Sequence, residues 1–198
     1  MKKIISLFFV AALVSMSWTS CTPKREVQRI DTNQQVDLSG RWNDTDSRKV
    51  ADAMVNQVLN ARWLDNYKES HDGKRPIMIV GLVSNKSHEH ISAETFIKDI
   101  ERSVINNGSV RLVQAGNKRA ALRRERADQQ DFASSSTAKD WGKELGADFM
   151  LQGSINSIVD SYRDEKVVSY QINLELTNLE TNEIVWIGDK KIKKYITD

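Results

Sequence analysis

Residues 77–83, IMIVGLV, are an unbroken apolar run opened by Pro76. A run this short and continuous predicts a strand covered on both faces, as in a parallel sheet between helices. Its flanks narrow the choice. Upstream, Val50, Met54, Val58 and Ala61 recur at helical spacing, and Val55 and Leu59 widen the stripe. That predicts a helix over about 46–63, with Asp44, Thr45 and Asp46 as possible caps, followed by a polar loop at 65–75. Downstream, Ser92 can cap a second helix with Phe96, Ile97, Ile100, Val104 and Ile105 on its core face, ended by Asn106-Asn107-Gly108. VRLVQ at 110–114 gives the next strand. Strand, helix and strand within about 40 residues make a right-handed parallel βαβ unit.

The pattern then changes. A strongly polar helix is predicted near 117–130, and another from Ser135 or Ser136 to Gly146, leading into a strand at about 148–159. Val168, Tyr170, Ile172, Leu174 and Leu176 alternate with polar residues, which is a half-exposed strand. A turn at Thr181-Asn182 leads to a last strand through Val185, Trp186 and Ile187. The expected fold class is α/β: a mixed sheet, parallel at its βαβ start and an antiparallel meander at its C-terminal end, flanked by about four helices.

The N-terminus is not part of that fold. Lys2 and Lys3 precede an apolar stretch from Ile4 to Val14, broken by Ser6 and too short to span a bilayer. Small residues follow, then Cys21, the one cysteine. The arrangement is a signal peptide over 1–20 and resembles a lipobox, with Trp18 where Leu is usual, which implies that Cys21 is lipidated. Two or three acyl chains on one residue would hold the protein permanently on a membrane. Residues 22–38 are polar and aperiodic and are expected to be a tether, with a coil span of roughly 23 Å and an extended limit of about 56 Å. Residues 39–198 are the folded domain, expected to be monomeric. Thr22 after the cysteine favours the outer membrane, by similarity to the enterobacterial sorting rule.

Charge excludes one class of partner. The chain has 29 basic and 27 acidic residues, and Lys2 and Lys3 are the only charges in the first 20 positions. The remainder is neutral, so nothing global favours nucleic acid. No phosphate-binding, nucleophile-elbow or zinc-protease motif occurs. His88-Glu89-His90 is the one cluster that invites a metal: its two imidazoles could meet one ion, but a site needs three or four ligands and nothing else nearby is compelling. It is read as a polar loop with Glu89 pairing a helix terminus, so no metal and no cofactor are expected. Lys118, Arg119, Arg123, Arg124 and Arg126 form a basic stretch on the polar helix, read either as a solvated face or as a surface for a protein partner; on the second reading Arg119, Arg123 and Arg126 are the candidate partner-binding residues, as charges without an evident internal task. Lys166, Lys190, Lys191, Lys193 and Lys194 cluster near the C-terminus, four of them on the last strand, where they would guard a sheet edge.

Three stretches together carry a resemblance: Asp37-Leu38-Ser39-Gly40-Arg41-Trp42-Asn43-Asp44; Ile79-Val80-Gly81-Leu82-Val83-Ser84-Asn85-Lys86-Ser87; and Leu145-Gly146-Ala147-Asp148-Phe149-Met150-Leu151-Gln152-Gly153-Ser154-Ile155. They are similar to LpoB-type activators of penicillin-binding proteins, within the wider CsgG and TolB-N-terminal-like superfamily, over about 37–196. The resemblance implies a non-enzymatic outer-membrane lipoprotein, facing the periplasm, that binds a class A penicillin-binding protein and activates peptidoglycan synthesis allosterically. The 17-residue tether departs from the long tethers of such proteins. The alternative is a CsgG-related accessory lipoprotein of an envelope assembly or secretion complex. Locally, Trp42 is an apolar anchor for the incoming chain, and Gly153 permits close approach of a neighbouring strand.

Overall fold

A computed structural model describes residues 26–32, 34–134 and 144–197. The chain divides into two units between Gln34 and Gln35. Residues 26–32 and 34 form no helix or strand, with one turn in which Gln34 N–H donates to the Asp31 carbonyl at 3.1 Å. Signal peptide, Cys21 and the start of the tether lie outside the described residues.

The second unit begins with helix α1, Asp44–Leu59. Its cap is Asn43, one residue before those the sequence suggests: Asn43 accepts from Asp46 N–H at 3.1 Å, and Asp46 accepts from Asn43 N–H at 3.1 Å. This reciprocal pair satisfies two of the backbone donors that a helix start leaves open. Asn60 ends α1, and α2, Arg62–Ser70, replaces most of the expected polar loop. Only Trp63 and Leu64 of α2 are buried. Trp63 and Tyr67 pack on Phe149, at centroid distances of 4.9 and 5.5 Å.

Strand β1, Ile77–Lys86, leads to α3, Ala93–Asn107, and the two-residue β2, Arg111–Leu112. Ser92 caps α3 and Gly108 closes it in the left-handed conformation, φ 74°, both as the sequence indicates. Ile105, expected in the core, is 62% exposed. Helix α4, Gly116–Phe132, buries none of its residues. Strands β3 (Phe149–Tyr162), β4 (Glu165–Asn178) and β5 (Ile184–Thr197) complete the fold. The helix expected over 135–146 lies mostly outside the described residues, and residues 144–147 are not helical.

The sheet order is β2-β1-β3-β4-β5, with β1 parallel to β2 and β3, and β3, β4 and β5 antiparallel. The α/β class, the parallel start and the antiparallel meander are therefore as expected, with four helices among the described residues. Pairing registers put Leu151, Ile155, Val168, Tyr170, Ile172, Leu174 and Leu176 on one face, all buried, together with the buried α1 and α3 stripes. The opposite face of β3 and β4 is polar: Gln152, Ser154 and Asn156 lie across from Glu175, Asn173 and Gln171. The expectation that β1 is covered on both faces fails at Leu82, which is 72% exposed. An extra residue in β1 between Val80 and Val83 breaks the alternation there.

Candidate functional site

Two surfaces and two half-buried joints hold the residues that sequence reasoning singles out. The first surface is α4. Arg119, Arg123 and Arg126 share one face of it at helical spacing. They are not charges without a task. Arg123 grips Glu144 with two bonds, Nε at 3.0 Å and Nη2 at 2.8 Å, and Arg126 Nη1 reaches the same carboxylate at 3.4 Å. Arg119 Nε donates to the Gln114 carbonyl at 2.8 Å. Arg123 holds the Glu144 carboxyl below its ordinary range. These bonds tie an otherwise exposed helix to the entry of β3. Beside them is a shallow depression of about 280 Å³ lined by Val113, Gln114, Leu122 and Leu145 with the same charged groups. Its mixed apolar and ionic lining suits a protein side chain better than a buried small molecule.

The second surface is β5 with the segment entering the domain. Gln35 accepts from Lys49 Nζ at 2.8 Å, and Lys194 Nζ donates to Asp37 at 2.8 Å, to the Arg41 carbonyl at 2.9 Å and to Asp46 at 2.6 Å. Lys194 thus joins the incoming chain, the α1 cap and β5 in one knot, and its side chain is 12% exposed. Residues 35–38, assigned by sequence to the tether, are held by these bonds. Gly40, φ 64°, lies against Ile196, and a groove of about 620 Å³ runs between this strap and the end of β5. Sequence reasoning misses the role of Lys194. The signal is there: it shares its strand parity with Ile192 and Ile196, so it falls in an apolar row.

The Gln35 amide and Lys194 depress the Asp37 carboxyl from 3.8 to about 2. A depressed acid stabilises the fold above its ordinary value, and that contribution is lost as pH falls through the folded value. The strap should therefore hold at pH 4 and loosen as pH approaches 2. A carboxyl-carbon titration of Asp37 should show a midpoint near 2 that moves up in Lys194→Met; a wild-type midpoint near 3.8 would remove the ion pair from the account.

The joint is Glu89. One carboxylate oxygen accepts from Trp42 N–H at 3.0 Å and the other from Tyr170 O–H at 2.7 Å. Trp42 sits edge-on to Tyr170 and Phe96, at 5.5 and 6.3 Å. Burial first, then Glu89, pushes the Tyr170 phenol above its ordinary value. The backbone N–H of His88 donates to Ser157 Oγ at 2.9 Å, and its Nδ1 lies 3.0 Å from the same oxygen. The His88-Glu89-His90 loop therefore anchors Trp42 just before the α1 cap. Among the described residues, no three His, Cys, Asp or Glu side chains gather as a metal group.

Asp148 is a second joint. It accepts from Ile77 N–H at 2.7 Å and Tyr67 O–H at 2.9 Å, fixing the start of β1 against α2. Burial, reinforced by Asp148, raises the Tyr67 phenol to about 12.

The family described as peptidoglycan-synthase activator LpoB matches residues 46–192, from the first turn of α1 into β5. No curated protein matches the chain. Among solved structures, the LpoB C-terminal domain from Salmonella enterica is similar at 18% identity, over 74% of this chain and 98% of its own, with a TM-score of 0.41. The LpoB C-terminal domain from Escherichia coli is similar at 19% identity, over 77% and 99%, with a TM-score of 0.39. A lipoprotein from Neisseria meningitidis is similar at 12% identity, over 61% and 83%, with a TM-score of 0.40.

Proposed function

This chain belongs to the peptidoglycan-synthase activator LpoB family, and on that premise we propose that its folded domain binds a class A penicillin-binding protein and favours the active conformation of that synthase. The family match carries the reading, because it spans α1, the βαβ unit and most of the meander. The site chemistry supports binding over catalysis. Asp46, Ser47 and Ser157, three of the four buried polar side chains among the described residues, are committed to hydrogen bonds that build the fold, as are the half-buried Glu89 and Asp148. An activator of this kind supplies a coupling free energy of about 1–3 kcal/mol, a 5–150-fold effect on the equilibrium it biases.

The contact surface in this proposal includes the α4 face carrying Arg119, Arg123 and Arg126. Because Arg123 and Arg126 also hold Glu144, reversing them alone would set like charges together. The test is therefore Arg119→Glu, Arg123→Glu and Arg126→Glu combined with Glu144→Arg, which preserves the pairing with its sign inverted. This variant should melt close to wild type, bind the synthase at least tenfold more weakly and lose stimulation of glycan polymerisation. Unchanged binding by the folded variant would remove α4 from the contact.

The domain is proposed to be a monomer held in the outer membrane, facing the periplasm, through acylated Cys21. Among the described residues no helix is long and apolar enough to cross a membrane. With residues 35–42 bound to the domain, the chain between Cys21 and Gln35 reaches about 45 Å at most. Cys21→Ser should leave the membrane fraction and keep its leader; a variant that fractionates as wild type does would end the anchor proposal.

A further inference from the structure

The lysines of β5 lie along a long edge of the sheet that no strand covers among the described residues. We propose that β5 is a docking edge for an acidic, extended segment of a protein partner, which adds to the sheet as a sixth strand. The inference rests on the reading that this domain acts by binding a protein.

Four observations carry it. First, β5 is the terminal strand, 14 residues long, and among the described residues no backbone hydrogen bond from any element but β4 and the β4–β5 turn reaches it. Its outer row of N–H and C=O groups is an unused ladder of about 46 Å at strand rise. Second, β5 lacks the backbone obstructions that would close an edge to every partner. It has no proline, and its one register irregularity is at its start, opposite Leu176 and Thr177. Third, Trp186, Ile192 and Ile196 project from β5 toward the core but are only partly buried. An added strand would cover their open flank.

The fourth observation selects the occupant. Lys194 is consumed by Asp37 and Asp46, and Lys191 lies 3.8 Å from Asp189. Lys190 and Lys193 are exposed, and no acid lies within ion-pair distance of either among the described residues. Their spacing puts one on each sheet face. Two β5 edges brought together would oppose lysine to lysine, so a second copy is rejected. A strand with acids three positions apart would meet both. The lysines that block self-pairing therefore admit a partner of opposite charge. This edge lies across the sheet from β2, after which α4 begins, so it is a contact separate from the arginine face.

The test is amide hydrogen exchange on the full lipoprotein in detergent, with two synthetic peptides and with the synthase of the same cell. A peptide of three Thr-Glu-Val repeats should slow exchange across 184–197, and its Thr-Lys-Val counterpart should not. K190E/K193E should bind the acidic peptide at least tenfold more weakly and prefer the basic one. Protection by both peptides, or by neither, overturns the proposal. So does concentration-dependent protection of β5 without peptide, which would assign the edge to a second copy. In the synthase arm, protection of 184–197 supports the proposal. Binding with protection elsewhere alone overturns it and leaves the activator reading standing. If no synthase binds, the activator reading fails, and the peptide arm decides the edge by itself.

Discussion

Gly153→Ala is expected to cost about 3 kcal/mol, and Gly153→Val to leave no stable domain. Gly153 lies opposite Leu174 in the β3–β4 ladder. A Cβ at this position would collide with the Asn173 backbone carbonyl and come within 2.8 Å of Leu174 Cδ2. The carbonyl belongs to β4, which is paired on both sides, so it cannot retreat without straining two ladders. Overpacking of this kind costs about 1–3 kcal/mol where side chains can move, and more where backbone must. Against a typical domain stability of about 5–15 kcal/mol that is a large fraction. Gly146 is the internal control. It belongs to the same family-like stretch, yet nothing lies within 4 Å of where its Cβ would stand. Gly146→Ala should therefore change stability by no more than about 0.5 kcal/mol. Urea midpoints at constant slope measure both; equal effects at the two glycines would refute the close-approach account.

Glu89→Ala should be the most damaging loop substitution, at about 2–3 kcal/mol. It takes the acceptor from the hydroxyl of Tyr170, whose side chain is fully buried, and from the Trp42 backbone N–H. A buried donor left without a partner costs about 1–3 kcal/mol. The damage should also be local in a particular way. Trp42 would lose one of its two holds, so proteases should cut within 35–42 while the sheet stays intact. Tyr170→Phe removes the stranded hydroxyl, so Glu89→Ala in that background should cost less than in wild type. His90→Ala, in the same loop, should be nearly neutral. Additive effects of Glu89→Ala and Tyr170→Phe would mean that the bond between them carries nothing.

Gly153 and Trp42 are legible in the sequence because each sits beside a strong local pattern, an apolar strand and a helix start. The Ser92 cap, the Gly108 stop and the buried row from Val168 to Leu176 are equally local and appear as expected. Apart from the α1 cap, which falls one residue early at Asn43, the larger misses depend on the assembled sheet. Helix α2 exposes Asp65, Asn66, Glu69 and Ser70, and its aromatic residues find their partner Phe149 more than 80 residues away. Leu82 follows from a register irregularity that alternation cannot reveal. At the candidate site, α4 is identifiable as a basic, exposed helix, but the Glu144 grip is not, because its acid stands 18 and 21 residues downstream of Arg126 and Arg123. The Asp37–Lys194 pair spans 157 residues and joins opposite ends of the unit. No spacing rule reaches that far; only the sheet, with β5 beside the α1 cap, brings the two together.

The most direct measurement is lipid II polymerisation by the class A synthase of the same cell, with the purified domain titrated in. The expected result is a saturable, severalfold increase in rate and no polymerisation by the domain alone. A synthase that does not bind the domain, or whose rate is the same at saturating domain as without it, would mean that the domain is not an activator of that enzyme.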